Sequence, residues 1–289
     1  MPEAPACDAI VIGSSAHKTL FCRALIDTHV PFDVARIAWP AIDATARARI
    51  AALPFWSDAI GDERAAARKL ALLAARQSDP LLAEAIALQG REEARHAAII
   101  EGLLRAYGIA AVPPPEAPAP AKVEWAYVKL GYGECFDSFF AFGMFKLAAR
   151  SGFFPQGLVE LIEPVVQEEA RHILFFQNWI AHGRANRSLL DRAAHRLNCA
   201  RGLMVSVWTR LRFALAMRGG GGKPTSFPAS GLTLRGFLEL CLAENARRLA
   251  PYDARLLRPK LAPALASAVL RLLPRDRPRR TAGMGAPAA

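Results

Sequence analysis

The sequence has no C-x-x-C pair among its five cysteines and no unbroken apolar run long enough to span a membrane. Cys7, Cys22, Cys135, Cys199 and Cys241 are scattered and odd in number. That excludes an iron–sulfur module built on paired cysteines, and it favours reduced thiols over a disulfide frame. A membrane helix needs about 20 apolar residues, and the best stretch, "LMVSVWTRLRFALAM", is broken by Arg210 and Arg212. "MPEAPACDAI" carries an acid and no basic n-region, so it does not read as a secretory leader. These gaps predict a cytoplasmic chain with no transmembrane segment. β-branched runs are also scarce, and Ala, Leu and Arg dominate, which predicts an all-α protein.

Acids are scarce in the C-terminal third. Residues 186–289 hold 19 Lys+Arg against 5 Asp+Glu, so the whole formal charge of +11 comes from this region. Such a region suits an anionic partner, either an acidic protein, a nucleic acid or a membrane surface, or else it is a solvated arginine-rich face.

The chain has 289 residues, 53% of them hydrophobic, enough for one sizeable core. Residues 1–50 read as an N-terminal extension punctuated by Pro31 and Pro40, with "DAIVIG" suited to a short strand and "HKTLFCRALIDTHVPF" to a helix and loop. Residues 51–185 read as a helical unit. Its first helix covers about 57–77. The second runs from Pro80 to about Tyr107, with Asp79 as N-cap. The third covers about 123–150. A short turn or helix follows, and Pro164 is expected to open the fourth, which ends near residue 182. Residues 186–273 form a basic region with helices expected at about 187–218, 233–249 and 261–273. The "GGGGKP" stretch reads as a flexible break, and residues 274–289 as a disordered tail.

Between the second and third helices lies "GIAAVPPPEAPAPAK", whose five prolines forbid helix. Extended at about 3.1 Å per residue, it reaches roughly 46 Å, and the second helix spans roughly 40 Å. The linker is therefore long enough to return along a whole helix, so that helices two and three point the same way.

The chemistry lies in a repeat. "REEARHAAII" begins at Arg91, and "QEEARHILFF" begins at Gln167. Glu93 and His96 are three residues apart, as are Glu169 and His172, so each pair lies on one helical face within about 60°. Both pairs fall on apolar stripes: Leu82, Ile86, Gln89 and Ile100 flank the first, and Ile162, Val165, Phe176 and Ile180 the second. A carboxylate among Leu and Ile is costly unless its charge is compensated. Where Glu and His arrive together, a first-row metal ion is the economical compensation. The first and third helices add one in-phase carboxylate each, Glu63 and Glu134, with Asp137 competing in the third. The pattern is Glu, Glu-x-x-His, Glu, Glu-x-x-His, two half-sites related by a pseudo-two-fold. Glu92 and Glu168 read as groups behind the site or on the surface, with Arg95 and Arg171 pairing to them at i,i+3. His17, His29, His182 and His195 fit no such pattern.

Over residues 55–182 the chain resembles the ferritin-like superfamily of carboxylate-bridged di-iron proteins. The resemblance implies a four-helix bundle with one long crossover, extended here by C-terminal helices. It implies Glu63, Glu93, His96, Glu134, Glu169 and His172 as ligands, with Glu93 and Glu169 bridging two iron ions, manganese being an alternative. Ribonucleotide reductase subunits of this superfamily store a radical on a tyrosine where this chain has Ile100, which argues against that role. Its monooxygenases carry a hydroxyl residue where this chain has Ser138. With Asp137 beside it, Ser138 is a candidate for delivering protons to bound oxygen. The implied function is an oxygen-activating oxidase or hydroxylase, monomeric or homodimeric, acting on a small or carrier-bound organic substrate with an external electron-donor protein. Iron storage or peroxide scavenging is the alternative, and so is a tRNA-modifying hydroxylase.

In the basic region, the stripe of Leu190, Ala193, Leu197, Ala200, Met204, Val207 and Leu211 is expected to pack on the bundle. The arginines beside it, with Arg247, Arg248 and the tail's Arg275, Arg277, Arg279 and Arg280, would then face an anionic partner, an acyl-carrier protein first and tRNA second.

Overall fold

A computed structural model describes residues 10–116, 118–219 and 233–274. Among them are nine α-helices, one short 3-10 turn and no strand. The helices are α1 (Ser15–Ile26), α2 (Ala44–Ala51), α3 (Trp56–Ala74), α4 (Pro80–Ala106), α5 (Val123–Arg150), α6 (Gln156–Ala185), α7 (Leu189–Gly219), α8 (Leu234–Leu249) and α9 (Leu261–Leu272). The strand considered at "DAIVIG" is absent from its described part, where the chain turns directly into α1. The "GGGGKP" break and the tail beyond residue 274 lie outside the described residues. No helix among the described residues is long and apolar enough to cross a membrane.

Local chemistry sets the helix starts. Asp79 accepts hydrogen bonds from the amides of Leu81 and Leu82, and Pro80 occupies the first turn of α4, where a missing N–H costs nothing. Ser14, Asp43 and Thr233 cap α1, α2 and α8 in the same way. Pro164 does not open a helix: it sits inside α6, which is continuous from Gln156. A mid-helix proline frees the carbonyl one turn back, that of Glu160. Pro164 is solvent-exposed, so that face of the helix can lose a bond to water at little cost.

Helices α3 to α6 pack as mutual neighbours, α3 on α4 and α5, and α6 on α4 and α5. The short α3–α4 and α5–α6 connections make those pairs antiparallel. The linker runs along α3 in its own direction: the Val112 amide donates to Ser57 Oγ, Pro114 lies against Gly61, and Glu116 pairs with Arg68 at 2.7 Å. The chain therefore returns to the start of α4 before α5 begins, and α4 and α5 are parallel. Helix α1 packs on α4 and α6, and its Phe21, Cys22 and Leu25 join the main core with Leu70, Ile86, Tyr127 and Phe176. Phe176 sits so close to Gly131 that a Cβ there would come within 2.1 Å of its ring, so glycine permits the α5–α6 contact.

Helix α7 turns the opposite way from its expected orientation. Leu190 is 86% exposed, Leu197 61% and Met204 62%. Over residues 189–209, where burial is described, its buried positions are His195, Gly202 and Ser206, with Cys199 and Leu203 half-buried. A Cβ on Gly202 would stand 3.1 Å from Val128 Cγ1, so small and polar residues let α7 approach α5 closely, which the bulky stripe would prevent.

Several arginines of the basic third are consumed internally. Arg248 is buried over the rings of Phe142 and Phe145 and pairs with Glu163 at 2.9 Å. Arg247 pairs with Glu163 and Glu244, and Arg235 donates to the last carbonyls of α9. Arg248 is thus withdrawn from the expected surface, whereas Arg247 stays half-exposed in its ion pairs with Glu163 and Glu244.

Candidate metal centre

Glu63 from α3, Glu93 and His96 from α4, and Glu169 from α6 each place one ligand-type atom within 4.8 Å of the others. His172 completes a near-symmetric arrangement. His96 Nδ1 lies 3.1 Å from Glu169 and 3.7 Å from Glu93, while His172 Nδ1 lies 3.0 Å from Glu93 and 3.7 Å from Glu169. Glu93 and Glu169 therefore each reach both imidazoles, whose centroids are 5.7 Å apart. Glu63 approaches His96 Nδ1 at 3.7 Å. Glu134 enters from α5, and the charges of Glu93, Glu169 and Glu63 act on its carboxyl. Asp137, the competing acid on α5, is solvent-exposed.

A second layer holds the imidazoles. His96 Nε2 meets Glu168 at 2.8 Å, and His172 Nε2 meets Glu92 at 2.7 Å. The first Glu of each repeat thus holds the histidine of the other repeat. Both carboxylates are buried, which excludes the surface reading for Glu92 and Glu168. The arginines cross over too. Arg171 donates to Glu92 at 2.7 Å and to the Leu25 carbonyl at 2.9 Å, and Arg95 donates to Glu168 while its guanidinium lies over the Phe32 ring. The i,i+3 contacts are longer, at 3.9 Å for Arg95–Glu92 and 3.5 Å for Arg171–Glu168. His29, which has no motif, closes on Glu92 at 2.5 Å. No helical period could have exposed it, because it lies in a loop. Tyr127 donates to Gln89, whose amide reaches Glu93 at 3.5 Å. His17 bonds Asn178 and His195 contacts Cys199, both away from the cluster.

The donor set fits a metal. With Nε2–H of each histidine directed at a carboxylate, Nδ1 carries the lone pair, and both Nδ1 atoms face the acid cluster. His96 Nδ1, His172 Nδ1 and Glu134 Oε2 are buried and have no hydrogen-bond partner among the described residues. The close carboxylate oxygens lie off the hydrogen-bonding directions of the rings. In the neutral rings, lone pairs and carboxylates converging in a dry space repel one another, so the site needs positive charge there, as protons or as a metal ion in their place.

The titration behaviour reflects the same crowding. Burial raises the Glu63 and Glu134 carboxyls well above the carboxylate range, and neighbouring acids add to it. Burial opposes charge on Glu93 as well, but the charge of His172 and the close approach of both imidazoles outweigh it and hold Glu93 well below. Burial would lower both histidines, yet the surrounding carboxylates raise them well above 6.5. Glu92 is held down to about 2: burial opposes this, but the bond from His172 and the charges of His172 and Arg171 prevail.

A cavity of about 600 Å³ opens onto the cluster between α3, α5, α6 and α7. Glu63, Glu93, Glu134 and Glu169 line it, as do exposed Asp137 and buried Ser138. A larger groove of about 830 Å³ lies beneath the proline linker and touches none of the six metal-type side chains, so its size carries no functional weight. No family model, no curated protein and no solved structure matches the chain.

Proposed function

We propose that the chain is a ferritin-like dinuclear metal oxidase or hydroxylase, with α3–α6 as its four-helix bundle and α7 as an addition that walls a substrate cavity. The observation that carries this reading is the pair of orphaned, inward-facing Nδ1 atoms among four carboxylates. Iron is the first candidate and manganese the second; when bound, two such ions supply oxygen binding and electron transfer.

In this reading Glu63, Glu93, His96, Glu134, Glu169 and His172 would hold the ions, with Glu93 and Glu169 each within reach of both imidazoles. Glu92 and Glu168 fix the tautomer and direction of the histidines, so their Nδ1 atoms are aimed before any ion arrives. Ser138 and Asp137 lie on the wall of the same cavity, where a hydroxyl and a carboxyl can hold and pass a proton between solvent and the cluster. Phe142, Val165 and Val166 give the cavity its apolar wall. The cavity favours substrate oxidation over iron storage, because storage needs an ion path rather than an organic-sized pocket. Electrons come from an external donor protein.

The test is oxygen uptake after anaerobic loading with ferrous ion. Uptake in proportion to loaded chain, lost in Glu93→Ala, is expected. Full loading with no uptake would contradict an oxidase.

A further inference from the structure

The cavity has a charged end that the metal reading does not use. Lys69 on α3 and Lys129 on α5 both line it. Lys69 lies six residues after Glu63, about 9 Å along its helix, and Lys129 lies five residues before Glu134, about 7.5 Å along its own. Helices α3 and α5 are antiparallel, so both offsets point the same way. The two residues therefore sit at about one level of the bundle, roughly 8 Å along it from Glu63 and Glu134, and the charge of Lys129 acts on Lys69.

Neither lysine forms a salt bridge among the described residues. Asp62 and Asp137 share the cavity, and the charge of Asp62 acts on Lys69. Lys69 is half-buried, and its pKa is lowered, by burial first and by the nearby charge of Lys129 second. Lys129 is exposed at the mouth, and the charges of Asp62 and Glu134 only partly offset burial and Lys129 at Lys69, so an anion arriving between the lysines relieves the remaining cost. Lys69 and Lys129 are the only lysines or arginines among the described residues lining the cavity, so they set the end at which an anionic head group sits. Between the ends lie Phe142, Val165 and Val166.

We propose that the substrate is an organic anion, with its acidic head group held between Lys69 and Lys129 and its apolar body lying along Phe142, Val165 and Val166, so that a carbon roughly 8 Å from the head group faces the cluster. This rests on the proposed function above, because it takes the cavity to be the substrate pocket. A carboxylate and a phosphate monoester share the required chemistry.

Calorimetric titration of the full chain, with and without bound metal, tests it using octanoate, octyl phosphate and neutral 1-octanol. Either anion is expected to bind at least 10-fold more tightly than octanol, and the tighter of the two identifies the head group. Lys69→Met and Lys129→Met should each weaken anion binding about 10-fold and leave octanol unchanged, whereas Lys69→Arg and Lys129→Arg should keep the preference. Equal binding of octanol and both anions, no binding of either anion, or methionine variants indistinguishable from the parent would overturn the proposal. Metal content measured on the same samples separates the readings: anion selectivity without metal loading would sink the dinuclear centre and leave the anion pocket standing.

Discussion

The interior of α3–α6 buries charge, whereas α7 exposes oil. In the first region Glu92 and Glu93 are 0% and 2% exposed, inside helices that otherwise read as core. In the second, leucines and a methionine face outward while His195 and Ser206 are buried. Both invert the usual partition, for different reasons. The charged interior is a network in which each acid meets a histidine, an arginine or a place for a cation. The exposed apolar face of α7 follows from steric fit, because only the side of the helix carrying Gly202 and Ser206 approaches α5 closely. A polar residue inside therefore signals function here, and an apolar residue outside records which face packed better.

The largest expected break in this comparison is at Glu93. Glu93→Ala removes a carboxylate shared by both imidazoles, and metal content should fall from about two ions per chain to below one. Equal losses in Glu93→Ala and in a surface variant such as Glu160→Ala would remove the distinction between cluster and background.

Glu92→Ala comes next. It strands Arg171, His172 and His29, and breaking a buried pair of this kind costs about 3–5 kcal/mol. Losing the anchor of His172 should also weaken metal binding about 10- to 100-fold. Denaturant unfolding of the metal-free variant and a metal titration check the two parts. An unchanged midpoint would show that the network is not structural.

Metal loading should rise with pH. Both histidines have raised pKa values, since the carboxylates around them outweigh the opposing effect of burial. In the metal-free fold they add stability that is complete below about 6.5 and is lost as pH climbs through the raised values. An entering ion must displace those protons, so half-loading should lie above about pH 6.5. Loading at pH 5 equal to that at pH 8 would exclude His96 and His172 as holders.

The smallest effects belong to α7. Leu197→Asn, on the exposed face, should change stability by less than about 0.5 kcal/mol. Gly202→Leu, on the hidden face, should destabilise by about 1–3 kcal/mol through overpacking. The reverse order in thermal melts would put the apolar stripe back inside.

The sequence made most of the local structure legible. The start at Asp79-Pro80 and the 123–150 span of α5 follow from capping and proline chemistry, which act within a few residues. Helical phase separated Glu93 from Glu92, because a three-residue spacing fixes a shared face. What stayed hidden depends on contacts between distant segments. Phase cannot say that Glu92 meets the histidine of the other repeat, nor that His29 closes from a loop. A hydrophobic stripe marked α7 as amphipathic but could not weigh leucine burial against the closer approach at Gly202. Pro164 misled because its cost depends on whether the freed carbonyl faces water.

The most direct measurement is the metal content of the purified chain after anaerobic ferrous loading and removal of loose ions. About two ions per chain are expected from four carboxylates and two histidines in paired half-sites. Fewer than one, in protein that remains folded by circular dichroism, would contradict the account: the buried acids would then be neutralised by protons alone.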